Sequence, residues 1–277
     1  MFIEEEKEQL KVLVRELRVN HPNMAVRELY KFIQPERMGR DKFEAFCFES
    51  GFRVKYPVNY CRTTDSRGVT RFDNLLEGLE VTRVNQVWVS DITYYRLGDR
   101  FYYLSFIMDL YTRRIVGYSC SKNLRTETTT IPALKKALRL RKGVVLVGLI
   151  LHSDGGGQYY SKKFLGITKD VGILNSMCKT VYENPHAERL NGVIKNHYVI
   201  PYNPRSYTAL VNDLDRAVNM YNIEKPHSAI EGLSPVNFEK QLSIKNSNIE
   251  SENNLSGYFP LSILTTTKSR KNELCLT

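Results

Sequence analysis

A mixed α/β sheet preceded by a small helical unit is the fold class that the sequence predicts, on three observations. Three runs rich in β-branched and aromatic residues follow one another from Gln86 with only short turns between them. A continuous apolar run, Val144 to Leu151, comes later and is set among helical patterns. The first fifty or so residues carry their apolar side chains at helical spacing.

Composition frames that reading. The 277 residues are 42% hydrophobic and 25% charged, an ordinary globular balance that excludes wholesale disorder and suits about two domains with a tail. Five cysteines without a CxxC pair argue against a zinc knuckle and against a disulfide framework. The longest nearly apolar run is far short of the ~20 residues that cross a bilayer, and the start MFIEEEKEQL lacks a signal pattern. The expectation is a cytoplasmic protein with no membrane partner.

In chain order, Ile3 to Arg18 reads as an amphipathic helix through Leu10, Val12, Leu13 and Leu17. Asn23 is the expected cap of a second helix, Ala25 to Ile33, whose Val26, Leu29, Tyr30 and Ile33 repeat at helical spacing. A third, Asp41 to Ser50, turns Phe43, Phe46 and Cys47 inward and stops at Gly51. This arrangement is helix-turn-helix-like, with Arg40 and Lys42 as candidate DNA contacts on the third helix. Phe52 to Gln86 reads as a basic linker with Arg53, Lys55, Arg62, Arg67 and Arg71.

The runs QVWVSDIT, RFYYLSFIMDL and RRIVGYSCS then predict an antiparallel meander. Thr126 offers a cap for a helix over Ile131 to Leu140, with Pro132 in the first turn if the helix starts near Thr130. VVLVGLIL is expected as a strand covered on both faces. A helix over Ser161 to Val171, a short strand Ile173 to Met177 and a helix opened by Asn184-Pro185 and running to about Tyr198 follow. Leu210, Leu214, Ala217, Val218 and Tyr221 outline one more helix, and from about Gln241 the composition suits a flexible tail.

Charge is unevenly placed. The formal net charge is +10, and residues 91–200 hold 17 basic against 8 acidic side chains, while the segments on either side are nearly balanced. A basic excess concentrated in one segment points to a polyanion.

Three acids stand out within that basic segment. Asp91 interrupts the apolar strand VWVSDIT, where an unpaired carboxylate costs several kcal/mol. Asp154 ends the buried run LILHSD ahead of Gly155-Gly156-Gly157, a loop that a phosphate backbone can approach. Glu188 lies on the last helix of the sheet unit, with Asn191 and Lys195 on the same helical face. Each also has a structural reading: Asp91 paired with a buried arginine, Asp154 as a turn former, Glu188 as a solvated helix residue. Converging, the three would repel one another unless cations hold them, and hard oxygen ligands favour Mg²⁺ or Mn²⁺. His152 reads as a hydrogen-bonded core histidine, Trp88 as core, His186 as a surface group, and Asp109 as a structural acid paired with Arg113 or Arg114.

The stretches NQVWVSDITY, DLYTRRIVGY, LHSDGGGQY, YENPHAERLNGVIK and YNIEKPHSAIEGLSP together resemble the DDE transposases and retroviral-type integrases, in particular the second-reading-frame transposases of bacterial insertion sequences. The resemblance covers about residues 70–240. It implies a ribonuclease-H-like mixed five-stranded sheet, a catalytic and metal-binding triad at Asp91, Asp154 and Glu188, two Mg²⁺ or Mn²⁺ ions, and DNA contact by Lys195 and Asn191. It divides the chain into a helix-turn-helix-like domain (1–52), a basic linker (53–82), a catalytic core (83–200), a helical extension of that core (201–240) and a flexible tail (241–277). It further implies metal-dependent strand cleavage and transfer on double-stranded DNA, both element ends and target, by a nucleoid-associated bacterial homo-oligomer. Relatives commonly work with a first-frame partner or fusion. The sequence departs from the family pattern at Gly155, where a basic residue is usual, and at Lys225, where arginine is preferred. Two competing readings are a ribonuclease-H-like nuclease that only hydrolyses, and a DNA-binding assembly or regulatory subunit inactive without an upstream-frame partner.

Overall fold

The computed structural model describes residues 2–54, 72–178 and 184–256. Five strands form one sheet: β1 (Val87–Leu97), β2 (Arg100–Asp109), β3 (Ile115–Ser121), β4 (Ile150–Ser153) and β5 (Leu174–Met177), in the order β3-β2-β1-β4-β5. The first three pair antiparallel, as their tight turns require. β4 and β5 join parallel, each reached through a helical crossover: α4 (Thr130–Leu140) and α5 (Lys162–Asp170). The sheet is thus the mixed five-stranded one expected.

Alternation along β1 sorts its side chains to two cores. Val87 and Val89 pack with Leu190, Ile194 and Tyr198 of the helix opened by Pro185 and with Leu210, Leu214 and Val218 of α8 (Tyr207–Ile223). Trp88 packs on the other face with Leu134 and Ala137 of α4, and with Phe164 of α5. Asp91 shares the parity of Val87 and Val89 and so belongs to the face covered by α6 (Pro185–Val193). α4 lies on β3 at unusual closeness, since a Cβ at Gly117 would stand 2.2 Å from the carbonyl oxygen of Ala133.

The N-terminal helices α1 (Phe2–Asn20), α2 (Val26–Ile33) and α3 (Arg40–Glu49) enclose their own core of Leu10, Val14, Leu29, Phe43, Phe46 and Cys47. Gly51 has a φ of +75°, consistent with its expected stop role. Asn23 does not cap α2; Ala25 holds that position and the Asn23 side chain is bonded elsewhere.

Other differences follow from glycines and donors. The run VVLVGLIL is not one strand: Gly143 and Gly148 adopt φ of +83° and +81°, and Val145 is 82% exposed. Leu146 and Leu149 anchor this turn in the core, and the strand proper begins at Ile150 and continues through His152 and Ser153. Thr126 is not the cap of α4, which begins at Thr130 with Pro132 in its first turn. The expected helix past Glu188 is longer: α6 continues through a π turn, Ile194–Val199, into α7 (Ile200–Tyr202).

Two compact units divide the chain after Glu239. The last helix, α9 (Pro235–Ser256), runs on beyond position 241, where composition predicts a loosened tail. Glu239 belongs to the first unit, half-buried between Arg114 and Arg141 and accepting a hydrogen bond from Thr112. Residues 257–277 and most of the expected basic linker, including Lys55, Arg62, Arg67 and Arg71, lie outside the described residues. Among the described residues no helix is long and apolar enough to cross a membrane.

Candidate active site

The site is built on the middle of β1, the end of β4 and the first two turns of α6. Asn184 sets the third against the first, its Nδ2 donating to the carbonyl oxygen of Ser90 at 3.0 Å, beside Asp91. Parallel pairing of Ser90 with Ser153 sets Asp91, midway along β1, near Asp154, the residue that follows the end of β4.

Among the described residues Asp91 is paired with no arginine, unlike the structural alternative. Its Oδ1 accepts from the Ile92 amide at 2.8 Å and its Oδ2 from Asn191 Nδ2 at 2.7 Å. Burial, followed by the negative charges of Asp154 and Glu188, pushes its carboxyl up to about 7, against the two hydrogen bonds that favour the ionised form. Asp154 is also held above the ordinary carboxylate range by burial, opposed by the Gly156 amide that donates to its Oδ1 at 3.1 Å. A Cβ at Gly156 would stand 3.0 Å from that same oxygen, so the loop lies close over the carboxylate because it carries no side chain there. Glu188 is exposed in the first turn of α6. Asp91 thus feels the charge of both other acids, although among the described residues no three such side chains already stand close enough to hold an ion.

The donor set nevertheless suits a hard cation. Asn191 Oδ1 and Asn184 Oδ1 are buried beside the acids with no hydrogen-bond partner among the described residues, adding oxygen acceptors to the carboxylates. Lys195 comes to the same face, its Nζ 3.3 Å from Thr93 Oγ1 and 5.0 Å from the centre of the Tyr94 ring. Arg40 and Lys42 are exposed on α3, which packs on α2, and are not brought to the acids.

The remaining candidates fall into place as structure. His152 is fully buried, with Nδ1 2.9 Å from Ser176 Oγ and Nε2 3.1 Å from Cys178 Sγ. Trp88 is core. His186 is exposed, its Nδ1 3.1 Å from Arg113 Nη1. Asp109 is structural, but not through Arg113 or Arg114: its oxygens accept from the amides of Asn85, Tyr111 and Thr112 at 2.7, 3.0 and 2.9 Å. Asn184 is the site residue that the sequence reading left without a role; its place before Pro185 at a helix start was the available signal.

Comparison with known proteins decides the family. Residues 81–182 match the Integrase core domain, and residues 170–235 match a second Integrase core domain description. The insertion element IS600 31 kDa protein of Shigella sonnei is 31% identical over 209 residues, covering 74% of this chain and 76% of that protein. The chain belongs to the integrase-core transposases of insertion sequences. Its transposase relatives include that of IS629 from Shigella sonnei, 32% identical over 64% of this chain and 60% of that protein. The putative transposase of IS986/IS6110 from Mycobacterium tuberculosis is 32% identical over 56% of this chain and 58% of that protein. Among solved structures, the HTLV-2 integrase catalytic core domain in complex with magnesium aligns at a TM-score of 0.45 and 22% identity, covering 56% of this transposase and 95% of that chain. The family is one of polynucleotidyl transferases.

Proposed function

We propose that this chain cleaves DNA strands at the ends of an insertion sequence and joins them to target DNA, in a divalent-metal-dependent reaction centred on Asp91, Asp154 and Glu188. Asp91 is the observation that carries the reading: a carboxylate set into a strand, opposed by two further acids and paired with no basic side chain among the described residues. Like charges gathered without a counter-ion are costly to folding and are retained where a cation is part of the function.

Asp91, Asp154 and Glu188 would hold two Mg²⁺ or Mn²⁺ ions through carboxylate oxygens. Bound there, such ions supply positive charge at the phosphorus and lower the pKa of an attacking water or 3′-hydroxyl. Asn191 keeps the Asp91 carboxylate turned to the rim through its Oδ2. Lys195 contacts a DNA phosphate, fixing the strand against β1, and Arg40 and Lys42 bind phosphates through the N-terminal helices. In this division of labour residues 83–200 carry the chemistry and 1–52 the additional DNA contact. Two DNA ends must be synapsed, so the working form is a homo-oligomer, with a first-frame product as partner or fusion.

The test is Mg²⁺-dependent cleavage and joining of a labelled duplex carrying the terminal sequence that flanks this gene, by the intact chain and by Asp154→Asn. Joining that requires Mg²⁺ and is lost in the variant is the expected result. Cleavage without joining of a pre-cleaved end assigns a hydrolytic nuclease. Activity only as an upstream-frame fusion assigns the catalytic half of a longer protein, and cleavage that persists in Asp154→Asn removes the assigned site.

A further inference from the structure

The helix that carries Glu188 changes pitch. It leaves α6 for the π turn Ile194–Val199, closed where the Ile200 amide donates to the carbonyl of Lys195, five residues back. Pro201 explains the change: it has no N–H, and its ring crowds the carbonyl four residues earlier, that of His197. Whichever pitch the helix takes, position 201 offers no donor. The carbonyl of Asn196 loses it at the five-residue spacing, and that of His197 at the four-residue spacing.

Both carbonyls are met from outside the helix by one residue of the N-terminal unit. Asn23 Nδ2 donates to Asn196 O at 2.8 Å, and the Asn23 amide donates to His197 O at 3.3 Å. The neighbours of Asn23 hold the same stretch: His21 Nδ1 lies 3.1 Å from the Tyr198 hydroxyl, and the Tyr202 hydroxyl donates to Asn20 O at 2.7 Å. Lys225, almost fully buried in the segment YNIEKPH, pairs with Glu28 of α2 beneath this contact. The loop between α1 and α2 therefore clasps the turn in which Lys195 sits.

We propose that Asn23 is a positioning residue for strand cleavage and joining: it supplies the donors that Pro201 withholds and holds the π turn in the register that lays Lys195 along Thr93 and Tyr94. The N-terminal helical unit is in that case part of the frame of the active site as well as a DNA contact. This inference rests on Lys195 acting at the DNA phosphate, as read above.

Joining of a pre-cleaved labelled duplex with the terminal sequence into plasmid DNA tests it, using whichever form, chain alone or upstream-frame fusion, is active. The variants are Asn23→Ala, Asn23→Ser, Lys195→Ala and the double variant Asn23→Ala/Lys195→Ala. Asn23→Ala is expected to lower the maximal rate roughly tenfold, with the DNA concentration at half-maximal rate within about twofold of wild type. Asn23→Ser, which keeps a shorter hydroxyl donor, loses less, about threefold, and serves where Asn23→Ala folds poorly. In the Lys195→Ala background neither substitution lowers the rate further, the signature of coupling. Hydrogen exchange of the Ile200 amide is expected to accelerate in both Asn23 variants. An equal loss with and without the Lys195 side chain, a change confined to the DNA requirement, or unchanged exchange at Ile200 overturns the proposal. If Lys195→Ala joins at the wild-type rate while Asp154→Asn is inactive, the acidic site stands and this proposal alone falls.

Discussion

Two aspartates on neighbouring strands show how one residue type serves opposite ends. Asp109 ends β2 opposite Trp88, and Asp91 lies three residues further along β1, opposite Phe106. Both carboxyls are raised by burial. Asp109 accepts from three main-chain amides, and the positive charge of Arg141 favours its ionised form more than the negative charge of Glu239 opposes it. Asp91 has one amide and one side-chain amide, and faces two more acids. A buried carboxylate whose lone pairs are filled is a structural corner, whereas one left short of donors among its own kind is a place for a cation.

Substitution separates the two most sharply. Asp91→Asn is expected to reduce strand joining by on the order of 10³-fold or more while leaving the metal-free protein at least as stable, since a repulsive charge is removed. Joining assays beside urea unfolding of the metal-free protein check both halves; a stability loss at Asp91 would make it a second Asp109.

A third carboxylate, Glu239, extends the series, being surrounded by cations. Burial alone would raise its carboxyl, but the guanidinium groups of Arg141 and Arg114 hold it below its ordinary value. Its contribution is thus complete above the unfolded value of about 4.3 and is lost as pH falls through the lower folded value. Glu239→Gln should cost about 3 kcal/mol at neutral pH and flatten the acid limb of the stability profile, measured by denaturant unfolding from about pH 3 to about pH 7.

Asp109→Asn comes next. An NH₂ group replaces an oxygen that faces main-chain N–H donors, so unfolding free energy should fall by about 2 kcal/mol, with joining per folded molecule unchanged at low temperature. The smallest effect is expected at Thr93→Val, which removes only the 3.3 Å contact with Lys195: joining falls by less than about fivefold and stability is unaltered. A larger loss at Thr93 than at Asp91 would invert the assignment of the rim.

What the sequence made visible follows from what a linear pattern can carry. The meander, the acid in an apolar strand, the Asp154 loop and the helix of Glu188 are all written in periodicity and in a charge out of place. The start of β4 is hidden because Val144, Val145 and Val147 are apolar but exposed, and the positive-φ glycines that turn the chain there resemble ordinary strand interruptions. The partners of Asp109 are not legible because main-chain donors leave no trace in side-chain identity. The role of Asn23 is ambiguous since local capping and a contact 173 residues away look alike in one dimension.

The twice-paired Glu239 also sets a limit on dissecting the protein. The family match ends at residue 235, four positions short of it. A shortened chain cut at that match would retain every proposed catalytic group yet leave Arg114, between β2 and β3, and Arg141, at the end of α4, without their counter-charge. A fragment ended at 235 is therefore expected as an unstable or insoluble product and one extended through Glu239 as a soluble one, which parallel expression of the two checks.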